Sequence, residues 1–189
     1  HATQFVVGLE LLLFSPDPWR LVLSTDHPNG GTFLSYPRLI RLLMDRAFRD
    51  EQLARLPPVA LEGTTLRDGL TREYTLSEVA IVTRAGPARL LGLARKGHLG
   101  PGADADVAIY RPDADAEAMF TTPRYVLKGG LVVAEDGQIR REVHGRTLQA
   151  SPEYDRGVER TVRTLLEADG TLSLEERGEL AEMSTVDYR

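Results

Sequence analysis

The chain has no cysteine anywhere in its 189 residues. Disulfides and thiolate metal sites are therefore excluded, and a reducing compartment is compatible with the composition. A basic surplus is also missing, with 23 Lys and Arg against 28 Asp and Glu and a formal net charge of −5. That balance offers no attraction for nucleic acid or for an anionic membrane surface. No apolar run approaches the ~20 residues of a membrane-spanning helix. The expectation is a cytoplasmic protein with no nucleic acid and no membrane as partner. Histidine is scarce: only His1, His27, His98 and His144 occur, and no two have the His-x-His spacing of a metal-binding pair. Internal repeats and low-complexity segments are absent as well.

What is present is ordinary in bulk, 42% hydrophobic and 27% charged, enough for a normal core. The length suits one domain or a little more. The informative stretch is Leu21-Val22-Leu23-Ser24-Thr25-Asp26-His27-Pro28-Asn29-Gly30-Gly31. A short apolar run bounded by turn residues predicts a strand over 21–26 that is buried on both faces, as in parallel sheets. Pro28 cannot continue a central ladder and the two glycines favour a turn, so the strand must end at about Asp26. A carboxylate then stands at the carboxyl end of a buried strand, the edge where barrels and open α/β sheets place chemistry. Two readings stand open at this point. Asp26 either accepts backbone N–H groups and fixes the turn, or is free to act.

Around this stretch the chain alternates helix signals with breaks. Residues 3–14 are apolar almost throughout and predict a largely buried helix, stopped by Ser15-Pro16-Asp17-Pro18. Trp19, the sole tryptophan, is expected to pack the base of the following strand. Ser35 and Pro37 predict the cap and first turn of a helix whose apolar stripe is Ile40, Leu43, Met44, Ala47 and Phe48. Arg41, Asp45 and Arg49 repeat every four residues and are read as a solvated charge ladder. Tyr36 and Arg38 lie near the loop and are read as structural. Leu56-Pro57-Pro58 breaks the helix, and residues 59–74 form an irregular connector. Thr75 and Glu78 have capping-box spacing and predict a helix to Gly86, after which Pro87 opens another to about residue 93.

From Gly97 the texture turns to strands. Residues 107–110 predict a strand, while 125–127 and 131–134 flank Lys128-Gly129-Gly130 as a hairpin. Asp136-Gly137 predicts a further turn into 139–143. Asp104 and Asp106 are read as turn residues, and His98 and His144 as surface residues. Val158, Val162, Leu165 and Leu166 mark an amphipathic helix, and Ser173 with Glu176 suggests one more helix start. The polar last ~15 residues suit a tail.

Several of these blocks resemble a known family. They are Asp17-Pro18-Trp19-Arg20, Ser24-Thr25-Asp26-His27-Pro28-Asn29-Gly30, Ser35-Tyr36-Pro37 and Leu42-Leu43-Met44-Asp45-Arg46. Together they are similar to the A subunits of formylmethanofuran dehydrogenases and of bacterial formyltransferase/hydrolase complexes, within the amidohydrolase superfamily. The similarity runs over residues 4–155. The blocks at 84–93 and 102–110 are general amidohydrolase features, and the Asp-His-Pro-Asn-Gly block is the narrower one. Abundant Arg and Ala with few Lys favours the bacterial branch.

The resemblance implies an α/β fold: the carboxyl-terminal part of a TIM-like barrel over 1–95, β-sandwich strands over 96–150, and a helical tail over 151–189. It implies that the chain, which opens on His1 in mid-domain texture, is the carboxyl-terminal portion of a longer protein. Asp26 would be the last-strand carboxylate that touches the metal and carries the proton, with His27 and Asn29 facing substrate. Two zinc ions are implied, with their other ligands outside this chain, and a methanofuran-type formyl carrier as substrate. Other subunits of the complex are the implied partners. One carboxylate cannot hold zinc where about three protein ligands are usual, so the chain alone is expected to be inactive. The alternatives are a non-catalytic assembly module of the same complex, or another cyclic-amide amidohydrolase.

Overall fold

The computed structural model describes residues 2–68, 70–145, 148–150, 155–169 and 184–186. The chain divides into two compact units, His1–Val143 and His144–Arg189.

In the first unit, helix α1 (Ala2–Phe14) buries Val6, Leu12 and Leu13. It is apolar on its other side too, yet Phe5, Leu11 and Phe14 are 55%, 57% and 69% exposed. The predicted helix is present but only one face is covered, because the described residues place no element over the other. Asp17 then caps a single 3₁₀ turn, Pro18–Arg20, by accepting the Trp19 N–H. Trp19 itself is 45% exposed and lies under the Arg89 guanidinium, 5.5 Å from the ring centroid, rather than packing a strand base.

The single helix expected after residue 35 is two, α2 (Tyr36–Met44) and α3 (Arg46–Leu53). Asp45 separates them in an extended conformation and accepts the Phe48 N–H at 2.9 Å. A short carboxylate that can cap a new helix competes with continuing the old one. Ser35 makes no cap bond; Thr32 does that work one turn earlier, accepting the Leu34 N–H at 3.3 Å. The largest correction concerns Arg49, which is fully buried rather than solvated. Its guanidinium donates to the carbonyls of Leu42, Leu70 and Arg72 at 2.8, 3.0 and 2.9 Å. Burial pushes this arginine's pKa down from its ordinary value.

The capping box forms as its spacing predicts: Thr75 Oγ1 accepts the Glu78 N–H at 3.2 Å while Glu78 Oε2 accepts the Thr75 N–H at 2.8 Å. It starts α4 (Leu76–Ala80), which passes through one π turn, Ile81–Ala85, into α5 (Gly86–Leu90). Pro87 has no N–H to give the preceding turn, and the wider turn accommodates that loss. Gly86 must be glycine there, since a Cβ would stand 2.8 Å from the Ile81 carbonyl oxygen. The core joins Val6 and Leu13 of α1 to Ile40 and Leu43 of α2, with Val79 of α4 and Val82 of the π turn. Tyr74 ties it together, its hydroxyl donating to the Leu12 carbonyl at 2.6 Å.

Residues 21–26 belong to no helix and no sheet among the described residues. Leu23 N–H donates to the Val82 carbonyl at 2.9 Å, an acceptor in the π turn in place of a neighbouring strand. The prediction of a strand buried on both faces therefore fails within this chain; Val22 is 40% exposed. The described residues close no barrel.

The sheet of this unit is an antiparallel meander, β1 (Val107–Ile109), β2 (Tyr125–Lys128), β3 (Leu131–Glu135) and β4 (Gln138–Ile139), in that spatial order. Gly129 and Gly130 both take positive φ in the β2–β3 turn, as do Asp136 and Gly137 in the next, so both predicted hairpins are present. A short helix, α6 (Ala116–Thr121), interrupts β1 and β2, where the sequence pattern predicts none. It packs on α2, where Arg41 donates to Asp115 at 2.7 Å.

The second unit contains β5 (Leu148–Ala150) paired in parallel with β6 (Ser184–Val186), and helix α7 (Val158–Asp169). The predicted amphipathic helix is thus observed, with Val158, Val162 and Leu165 exposed along one side. The helix start expected at Ser173 and Glu176 lies outside the described residues. No helix among the described residues is long and apolar enough to cross a membrane.

Candidate active site

The 21–26 segment delivers Asp26 to an exposed turn in the left-handed region, with φ +49°. An aspartate enters that region more readily than most residues but still at a cost. Both backbone polar groups of Asp26 are occupied: its N–H donates to Ser24 Oγ at 3.2 Å, and its carbonyl accepts the Gly30 N–H at 2.7 Å. Its carboxylate is different. Among the described residues no hydrogen bond or ion pair holds it, so the turn is fixed without it. The turn-fixing reading of Asp26 is thereby set aside. The serine hydroxyl does what an aspartate side chain usually does in such turns.

The loop folds tightly back over this residue. A Cβ on Gly30 would lie 2.8 Å from the Thr25 carbonyl oxygen, 3.0 Å from Asp26 Cβ and 3.4 Å from Asp26 Oδ2. Glycine is required for that approach. His27 and Asn29 are exposed on the same loop, and the His27 ring stacks on Phe33 at 4.1 Å with planes 25° apart. Asp26, His27 and Asn29 thus share one exposed turn.

A separate cleft of about 330 Å³ is lined by Tyr36, Ile40, Arg84, Tyr110 and Phe120, with none of the three loop residues in its wall. Arg84 donates to the Tyr110 hydroxyl at 2.9 Å, and Tyr36 donates to the Leu23 carbonyl at 3.4 Å. Tyr36 therefore braces the segment behind Asp26, and Arg38 pairs with Gln52 at 2.7 Å, consistent with structural roles for both. His98 serves its own loop, bonding to the Ala94 carbonyl at 2.9 Å and the Gly100 N–H at 3.1 Å.

The other notable carboxylates are fully engaged. Asp106 accepts from Lys128 at 2.5 Å, from Lys96 at 2.6 Å and from the Gly129 N–H at 2.8 Å. The Lys128 and Lys96 bonds hold its carboxyl well below the usual carboxylate range. Lys96 also donates to Asp104 at 2.8 Å, and these bonds raise the lysine's own pKa. This hub pins the β2–β3 turn to the loop before β1; the expectation of turn residues holds, with more ion pairing than the sequence suggested.

A catalytic zinc takes about three protein ligands. Among the described residues no three His, Asp or Glu side chains converge on one point. These donors do not by themselves make up such a site; Asp26 is a single unengaged carboxylate.

Comparison with known proteins fixes the family. The model of the amidohydrolase family matches residues 12–134. The chain belongs to that family. Within the amidohydrolases it is 48% identical over 164 residues to the A component of the formyltransferase/hydrolase complex Fhc of Methylorubrum extorquens, covering 87% of this chain and 30% of that protein. It is 44% identical over 156 residues to protein FwdA of Methanocaldococcus jannaschii, covering 78% of this chain and 27% of that one. A chain of a solved structure, the formyltransferase/hydrolase complex FhcABCD of Methylorubrum extorquens with methylofuran, matches with a TM-score of 0.78 and 46% identity. That match covers 92% of this chain and 32% of its counterpart. The chain thus spans about a third of the length of the relatives it matches. The resemblance carried by the Asp-His-Pro-Asn-Gly block is borne out.

Ser24, Gly30 and Phe33 escape sequence reading as functional candidates. The Ser-x-Asp spacing is a usable signal for Ser24, since a serine hydroxyl reaches the N–H two residues on. Nothing local marks the Gly30 contact or the Phe33 stack.

Proposed function

We propose that this chain supplies the Asp26-bearing part of a metal-dependent amidohydrolase that interconverts an N-formyl amine carrier of the methanofuran type with formate and the free amine. The reading places it in the cytoplasm and in a complex with other subunits, as its relative in the formyltransferase/hydrolase complex is. The observation that carries it is the Asp26 carboxylate, held on a strained, glycine-closed turn that does not use it. Strain kept at a residue whose side chain has no structural partner points to a use for that side chain.

In hydrolysis, water adds to the formyl carbon and the C–N bond breaks. The Asp26 carboxylate takes the water's proton and then delivers it to the leaving nitrogen, giving formate and the amine. His27 and Asn29, on the same turn, are proposed to face the formyl group and its carrier. Asp26 is also the carboxylate that this chain would offer to zinc, a metal that supplies Lewis-acid chemistry when bound. Since the described donors are too few to hold it, the chain by itself is proposed to release no formate.

The test is formate release from an N-formyl amine carrier by the assembled complex containing this chain, as wild type and as Asp26→Asn. A rate loss of ~100-fold or more with unchanged assembly is expected. Equal rates would overturn the catalytic reading and favour a docking role for the chain.

A further inference from the structure

Asp26 departs from the rule that a left-handed aspartate in a turn is stabilised by its own carboxylate. Its turn is held from two other places. Ser24 Oγ accepts the Asp26 N–H at 3.2 Å from one side, and the Gly30 N–H donates to the Asp26 carbonyl at 2.7 Å from the other. Removing the hydroxyl frees the Thr25–Asp26 peptide, whose orientation the bond fixes, to turn about the Thr25 ψ. Adding a methyl at Gly30 drives a Cβ to 2.8 Å from the Thr25 oxygen and 3.0 Å from Asp26 Cβ, so the loop must lift away from the residue. Neither residue touches anything that would make it important to the core: Ser24 and Gly30 are both exposed. Their contacts converge on one residue, whose side chain has no partner among the described residues.

We infer that Ser24 and Gly30 are positioning residues that lock Asp26 in its left-handed conformation, so that its carboxylate is presented to substrate instead of being absorbed by the turn. The inference rests on the catalytic reading of Asp26 and extends it to two residues that do not themselves meet substrate. Preorganisation of this kind acts on the turnover step. A displacement of about 1 Å at a reacting group can cost ~100-fold in rate. The hydroxyl is what matters at position 24, and a threonine supplies it in the same place.

The experiment compares wild type, Ser24→Ala, Ser24→Thr, Gly30→Ala and Asp26→Asn in the assembled complex. It follows steady-state formate release from an N-formyl amine carrier together with the thermal unfolding midpoint. The expected result is a fall in kcat of ~10-fold or more for Ser24→Ala, KM within about twofold of wild type, and an unchanged midpoint. Ser24→Thr restores kcat to within about threefold of wild type. Gly30→Ala also lowers kcat where it assembles, and its KM changes too because His27 and Asn29 move with the loop; should it fail to assemble, the serine pair decides alone. Wild-type rates for Ser24→Ala beside a crippled Asp26→Asn overturn the positioning role and leave the catalytic one standing. Equal losses in Ser24→Ala and Ser24→Thr, or a loss confined to KM, also overturn it. Wild-type rates for Asp26→Asn remove the catalytic reading itself.

Discussion

Asp26 and Asp106 sit beside turns of the same unit, and their surroundings are opposite. Asp106 has its acceptors filled by two lysines and a backbone N–H, and its backbone needs no unusual conformation. Asp26 has a carboxylate unengaged by any described residue and a φ of +49°. A carboxylate that is satisfied stabilises the fold, and one that is left open at a strained position is available for chemistry. The contrast makes stability and activity separable by mutation.

The largest expected effect is the ~100-fold loss of formate release in Asp26→Asn, with the unfolding midpoint unmoved, because no folded-state bond is removed. A drop in midpoint would mean that the carboxylate has a structural partner and would break the comparison. Arg49 extends the engaged side to a cation. Replacing it with Met leaves three carbonyls without donors, and a loss of about 3 kcal/mol in unfolding free energy is expected by denaturant titration. Asp106→Asn should cost about 1–2 kcal/mol, solvent screening included, without altering turnover in the assembled complex.

The Asp106 contribution also has a defined pH course. Its folded pKa is depressed, so the stability it provides is fully present above the unfolded value of about 3.9. It is lost as pH falls below that value toward the folded one. The difference in stability between wild type and Asp106→Asn should therefore be flat from pH 5 to pH 8 and narrow below about pH 4. A difference that stays flat below pH 4 would show the hub to be weaker than its geometry implies. The smallest effect belongs to the α4 cap, where Thr75→Ala should cost about 1 kcal/mol and leave activity unchanged.

Sequence reading succeeds where the deciding chemistry is local. The Thr75–Glu78 box, the Gly129-Gly130 and Asp136-Gly137 turns and the span of α1 each depend on residues within a few positions of one another. It fails where a partner distant in the chain decides. Residues 21–26 have the composition of a buried strand, but a strand exists only with a neighbour, and among the described residues this segment's long-range backbone partner is the Val82 carbonyl. Arg49 keeps the four-residue spacing of a surface ladder; its burial depends on carbonyls from 21 and 23 residues further on. At the site, Asp26, His27 and Asn29 are legible as a block, while the glycine contact that shapes the turn is not.

That buried guanidinium has a consequence for how the chain is closed on itself. By reaching the carbonyls of Leu70 and Arg72 from α3, one side chain ties together the ends of a segment of more than 20 residues that contains most of the irregular connector. Closing a loop of that length removes about 3 kcal/mol of chain entropy by the logarithmic rule. Small proteins commonly meet such a cost with a covalent cross-link, which a chain without cysteine cannot make. Here an arginine serves as a reversible staple, one that forms only when both ends of the connector have arrived and that needs no oxidising environment to hold.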